Sequence, residues 1–117
     1  MRKGQAQKKL SKYALLKVLK SQTPEIRVEI IQYLNDSGIN VLSEAIYNTL
    51  FNPNRLSRKH IKMLKSQYLD QEKSLRKASK KSNNIKTRKK AIVQNGKGIG
   101  ALLGVAASLL SSLILHK

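Results

Sequence analysis

Residues 73–90 read KSLRKASKKSNNIKTRKK, in which Lys73, Arg76, Lys77, Lys80, Lys81, Lys86, Arg88, Lys89 and Lys90 surround only three apolar side chains, Leu75, Ala78 and Ile85. Lys97 follows shortly after. The chemistry such a run offers is phosphate contact, because each cationic side chain can displace a condensed counterion from a nucleic acid. Most of the chain's 24 basic residues are Lys rather than Arg, and an ammonium lacks the planar fork that reads base edges. The run also has no aromatic side chain on which a base could stack. These ten residues are therefore expected to hold double-stranded DNA without regard to its sequence. Competing readings are a solvated charge run, attraction to an anionic membrane surface, or a nuclear import signal on RKASKK and KTRKK.

Other chemistry has little to work with. There is no Cys, and the His residues are His60 and His116 alone, which leaves neither a thiolate nucleophile nor a His-rich metal cluster. His60 lies among lysines with no acid or nucleophile beside it, so it reads as a surface residue. Glu25 and Glu29 are one helical turn apart, but acids in a helix's first turns serve as partners of its dipole. No catalytic constellation, no cofactor and no metal are expected, and the protein is read as a non-enzyme.

The elements that carry the basic run are read from charge and hydrophobic period. The 117 residues have a formal net charge of +18 and no Trp, enough for one small unit with tails and strongly self-repelling without an acidic partner. Charge is segregated: residues 1–24 hold Lys and Arg with no acid, residues 25–54 set Arg27 against Glu25, Glu29, Asp36 and Glu44, and residues 98–115 carry no charge. Lysines at 8, 9, 12, 17 and 20 interrupt any apolar stretch of a secretory signal.

Leu10, Ala14, Leu15, Val18 and Leu19 recur at helical spacing up to about Ser21. Thr23-Pro24-Glu25 reads as an N-cap, a first-turn proline and a dipole partner. The second helix should reach about Asp36, burying Ile26, Ile30, Ile31 and Leu34 and ending at a left-handed Gly38. A third helix carries Val41, Leu42, Ala45, Ile46, Thr49 and Leu50 and is broken by Asn52-Pro53-Asn54. Ser57 caps a fourth, with Ile61, Leu64, Tyr68 and Leu75 inward and Arg58, Lys59, Lys62 and Lys65 in water. The expected architecture is all-α. A basic extension (1–9) precedes a three- to four-helix unit (10–70), followed by a disordered or weakly helical arm (71–97) and an apolar helical tail (98–117).

As a helix, the eighteen uncharged residues of the tail would span about 27 Å, just under the roughly 30 Å of a bilayer core. Gly100, Gly104, Ser108 and Ser112 fall every four residues, a small-residue ridge that admits a close helix neighbour. That neighbour is lipid-embedded protein, a capsid surface, or the helical unit's own apolar face.

The string LLKVLKSQTPEIRVEIIQYLNDSGINVLSEAIYNTLFN, then LSRKHIKMLKSQYL, the lysine run and NGKGIGALLGVAASLLSSL resemble short basic proteins of Maverick or Polinton elements and adintovirus-like viruses. These look like virion core components, loosely akin to the small basic core protein of adenoviruses. The resemblance implies DNA packaging in a capsid, with residence in the nucleus and the virion. It also implies exposure to an adenovirus-type protease, whose pattern is matched by Gln94-Asn95-Gly96-Lys97-Gly98. Gln94, Gly96, Lys97 and Gly98 are thus a candidate processing site in an extended joint, or simply a flexible linker. The alternative reading of the whole chain is a protein anchored in an intracellular membrane by its C-terminal tail.

Overall fold

The computed structural model describes residues 3–52 and 56–115, with side chains over 11–52 and 56–112. The helices are α1 Lys3–Ser21, α2 Pro24–Gln32, α3 Asp36–Ile46, α4 Arg58–Gln67, α5 Glu72–Ser79, α6 Ile85–Asn95 and α7 Gly100–Leu115. A π-helical turn, Tyr47–Phe51, prolongs α3, and a 3-10 turn, Leu69–Gln71, joins α4 to α5. Among the described residues there is no strand.

Local caps explain where most helices start. Thr23 Oγ1 accepts the Ile26 N–H at 3.3 Å with Pro24 at the first helical position. Ser57 Oγ accepts the His60 N–H at 3.2 Å, and Asn84 Oδ1 accepts the Thr87 N–H at 2.8 Å. Asn35 opens α3 by accepting the Gly38 N–H at 2.9 Å. This corrects the expected helix stop: α2 ends at Gln32, and Gly38 lies in the first turn of α3. Among the described residues no glycine has a positive φ. A Cβ at Gly38 would stand 3.1 Å from Leu34, so close packing, rather than a left-handed backbone, is what the missing side chain serves.

The core is built around α3, which touches α1, α5, α6 and α7. Ile39, Leu42, Ala45 and Ile46 are buried along one stripe, and the π turn aims Thr49 and Leu50 inward after them. α1 and α7 make the most extensive helix pair. They run antiparallel, since Gly104 near the start of α7 lies against Lys20 near the end of α1. Leu16 and Leu19 of α1 and Leu102, Leu103, Ala106 and Ala107 of α7 are all buried.

The basic run, expected to be disordered or weakly helical, forms two packed helices. α5 and α6 pack on each other and on α3, burying Leu75, Ala78, Ala91 and Ile92. Its few apolar side chains sit at helical spacing, so each helix concentrates them on one face while the lysines keep their charged ends in water. Expectations drawn from average composition miss this, because burial depends on which face a residue occupies. The helical unit consequently does not close at residue 70, and the boundaries at 70/71 and 97/98 fall inside one continuous core that runs from Leu16 to Ala107. Ile26 also departs from its assigned stripe: it is 45% exposed, and Arg27 is buried in its place.

Candidate nucleic-acid interface

The surface built by α5, the following loop and α6 carries the candidate phosphate contacts. Lys73 and Lys77 on α5, Lys80 and Lys81 in the loop, and Lys86 and Lys90 on α6 are all exposed. The loop between the two helices is braced: Asn83 Nδ2 donates to the Lys77 carbonyl at 2.9 Å, and the Asn83 N–H donates to the Lys80 carbonyl at 3.0 Å. Lys80 and Lys81 are thus presented from a defined turn rather than a loose chain. Arg76 is half exposed but engaged, pairing with Glu72 at 3.0 Å and stacking 4.4 Å from the Phe51 ring centre.

Two members of the proposed contact set face inward. Arg88 is only 8% exposed; its guanidinium donates to Asn40 Oδ1 at 2.9 Å and to the Asn83 carbonyl at 3.2 Å, fixing α6 to α3. Lys89 is half-buried and donates to the Leu34 carbonyl at 3.3 Å. Both tie α6 to the α2–α3 side of the fold, and a phosphate contact by Arg88 would break these bonds. Further cations absent from the expected set are exposed on other helices: Lys17 and Lys20 on α1, and Arg58, Lys59, Lys62 and Lys65 on α4. Among the described residues the ion pairs are Lys12–Glu44 and Glu72–Arg76, so most exposed ammonium groups have no carboxylate partner. A polyanion would relieve their mutual repulsion.

The segment Gln94–Gly98 differs most from expectation. Gln94 and Asn95 finish α6, and Gly96, Lys97 and Gly98 form a tight turn into α7. Arg27 Nη1 donates to the carbonyls of Gly96 at 3.2 Å and Lys97 at 2.8 Å. The same guanidinium reaches the end of α1, with Nε on the Leu19 carbonyl at 2.9 Å and Nη2 on that of Gln22 at 3.2 Å. A buried cation without a carboxylate is thus solvated by carbonyl dipoles, several of them at a helix's negative end. Tyr68 closes the other side, its hydroxyl donating to the Gly98 carbonyl at 2.8 Å and accepting the Leu102 N–H at 3.2 Å. Burial pushes the Tyr68 phenol above its ordinary value, against the opposing pull of the Leu102 N–H and the Arg27 charge. The segment is thus a turn pinned from both flanks rather than an extended strand or loose joint.

The glycines here serve Arg27 and α2. A Cβ on Gly100 would come within 2.7 Å of Arg27 Nη2, and one on Gly96 within 2.9 Å of Val28 Cγ2. The ridge of Gly100 and Gly104 accordingly receives side chains of this chain's own α2 and α1, while Ser108 and Ser112 lie on the exposed side. Among the described residues no helix is long and apolar enough to cross a membrane, and no three His, Asp or Glu side chains gather closely enough to hold a metal. Sequence reasoning missed Arg27 and Tyr68 as organisers of the turn. The available signal was Arg27 as the lone basic residue of residues 25–54. Comparison with family models, curated proteins and solved structures finds no match to this chain.

Proposed function

We propose that the protein is a non-enzymatic, sequence-independent binder and condenser of double-stranded DNA that works from a folded surface. The observation that carries this reading is the α5–α6 hairpin, whose exposed Lys73, Lys77, Lys80, Lys81, Lys86 and Lys90 have no carboxylate partner. The resemblance to basic proteins of Polinton-type elements supports packaging in a virion core and a nuclear stage. Contacts with capsid proteins belong to the same proposal, and cleavage by an adenovirus-type protease at Gln94–Gly98 would require the turn pinned by Arg27 and Tyr68 to open first. Exposed Arg58, Lys59, Lys62 and Lys65 on α4 add to the positive charge available to neutralise and condense a duplex.

A rigid surface reaches fewer phosphates than an extended arm. If the six hairpin lysines each release a counterion, log affinity should fall against log salt with a slope of about −5. Fluorescence anisotropy on short duplexes tests this, using Lys80, Lys81, Lys86 and Lys90 changed together to Gln with Arg88 and Lys89 left intact. The slope should become shallower by about 3.5. An unchanged slope would move the contact to α4 or α1, and strong preference among duplex sequences would defeat the proposal.

A further inference from the structure

The basic run contains no aromatic side chain, but the fold brings one to it. A groove of about 660 Å³, open to solvent, separates the start of the π turn from the loop that joins α5 to α6. Tyr47 and Asn48 line one side of it, and Lys80, Lys81 and Ser82 line the other. The Tyr47 side chain is 45% exposed, yet its backbone has a fixed base: its carbonyl accepts the Asn52 N–H at 2.8 Å across the π turn, and Ile46 and Leu50 on either side are buried. A π turn is often found where a helix builds a binding site. The loop opposite is held as well, since the Lys80 carbonyl accepts the Asn83 N–H at 3.0 Å.

Charge in the groove is positive. All six Asp and Glu residues lie among the described side chains, and Glu44 is the one that lines the groove. Its two carboxylate oxygens are held by Lys12 Nζ at 3.2 Å and 3.3 Å, so Lys80 and Lys81 decide the sign. Residues 1–10, 53–55 and 113–117 contain no Asp or Glu, and no acidic side chain from them can reverse it.

Two ammonium groups facing an exposed ring suit an occupant that joins a flat ring to an anion, and a groove of this volume lies in the range that takes a ligand of nucleotide size. A ring face stacks on any base, while Lys meets phosphate as a point charge. Asn48 and Ser82 add donors and acceptors for a sugar or a base edge. An acidic peptide would satisfy the lysines and leave the ring uncovered. Within a duplex each base face is covered by its neighbours, so only an unpaired nucleotide can offer one to Tyr47.

We propose that this groove holds an unpaired nucleotide of single-stranded DNA, its base stacked on Tyr47 and its phosphate on Lys80 and Lys81. The proposal rests on the DNA-binding reading and extends it from duplex backbone to exposed bases.

The test titrates the full chain by fluorescence anisotropy with labelled oligo-dT and with a duplex of equal phosphate number, at one salt concentration. Tyr47→Leu keeps apolar bulk without a π face, and should weaken oligo-dT binding about fivefold or more. Duplex affinity should stay within about twofold, because the duplex presents phosphates rather than base faces. Tyr33→Leu removes a tyrosine that is 89% exposed outside the groove and should change neither. Tyr47→Trp should restore oligo-dT binding, and since the chain has no other Trp, its emission should be quenched saturably by oligo-dT and not by duplex. The proposal is overturned, with the DNA-binding reading intact, if the protein binds duplex but Tyr47→Leu leaves oligo-dT binding unchanged, weakens both ligands alike, or matches Tyr33→Leu, or if the Trp emission ignores oligo-dT. If the wild-type protein binds neither ligand, both readings fall together.

Discussion

Replacing Arg27 with Met keeps an unbranched apolar stem but removes every donor that pins the ends of α1 and α6. Five carbonyls lose a partner, on Leu19, Lys20, Gln22, Gly96 and Lys97, although the Lys20 contact, at 3.5 Å, is long. Their surroundings differ. The bonds to Leu19 and Gly96 are buried, whereas those to Lys20, Gln22 and Lys97 are only partly so, and water can replace the lost donor at the latter three. Of the two buried carbonyls, that of Gly96 is left unsatisfied and that of Leu19 keeps only the Gln22 N–H at 3.4 Å, and at about 1–3 kcal/mol each the expected loss is about 4 kcal/mol. Against a total stability of roughly 5–15 kcal/mol this is large, and for a chain of this length it lowers Tm by about 15 °C. Thermal and urea melts followed by far-UV circular dichroism read the global loss, and hydrogen exchange across residues 94–103 reads the local one. Arg27→Lys should recover less than half, since one ammonium cannot reach carbonyls on both sides. A melting point for Arg27→Met within about 3 °C of wild type, with unchanged protection of the turn, would refute this account of how α7 is held.

Tyr68→Phe removes the bonds to Gly98 and from Leu102 and should cost about 1–2 kcal/mol near neutral pH, read from urea midpoints. Because the folded protein raises the phenol above its ordinary value of 10.0, Tyr68 holds its proton more tightly when folded. Its contribution is complete below pH 10 and is lost as pH rises through the native value, so the gap between wild type and Tyr68→Phe should narrow in alkali. Ile46, fully buried on α3, tolerates no carboxylate, and Ile46→Asp should cost more than about 4 kcal/mol and abolish the helical spectrum; a wild-type melt would exclude Ile46 from the core. Ser43 has a buried hydroxyl without a partner, so Ser43→Ala should stabilise by about 1 kcal/mol, and a lower melting point would reveal an ordered water on that hydroxyl.

The all-helical class, the caps at Thr23 and Ser57, and the stripe through Leu42, Ala45 and Ile46 were legible in the sequence because each depends on residues within a turn or two of one another. Net charge was legible for the same reason: it is additive and needs no fold. What the sequence could not decide was which weakly apolar segments find a partner. Leu75, Ala78, Ala91 and Ile92 are too few to form a core alone, and they become buried only because α3 offers a face that neither α5 nor α6 contains. The same dependence on distant residues governs the charges. Arg88 sits in a lysine run yet turns inward to Asn40, which is 48 residues away, and Arg27 bonds to carbonyls 69 and 70 residues away. Composition assigns such residues to the surface, where ions keep their hydration. Tertiary structure reverses that assignment wherever it gathers enough fixed dipoles around a charge to replace the water it loses.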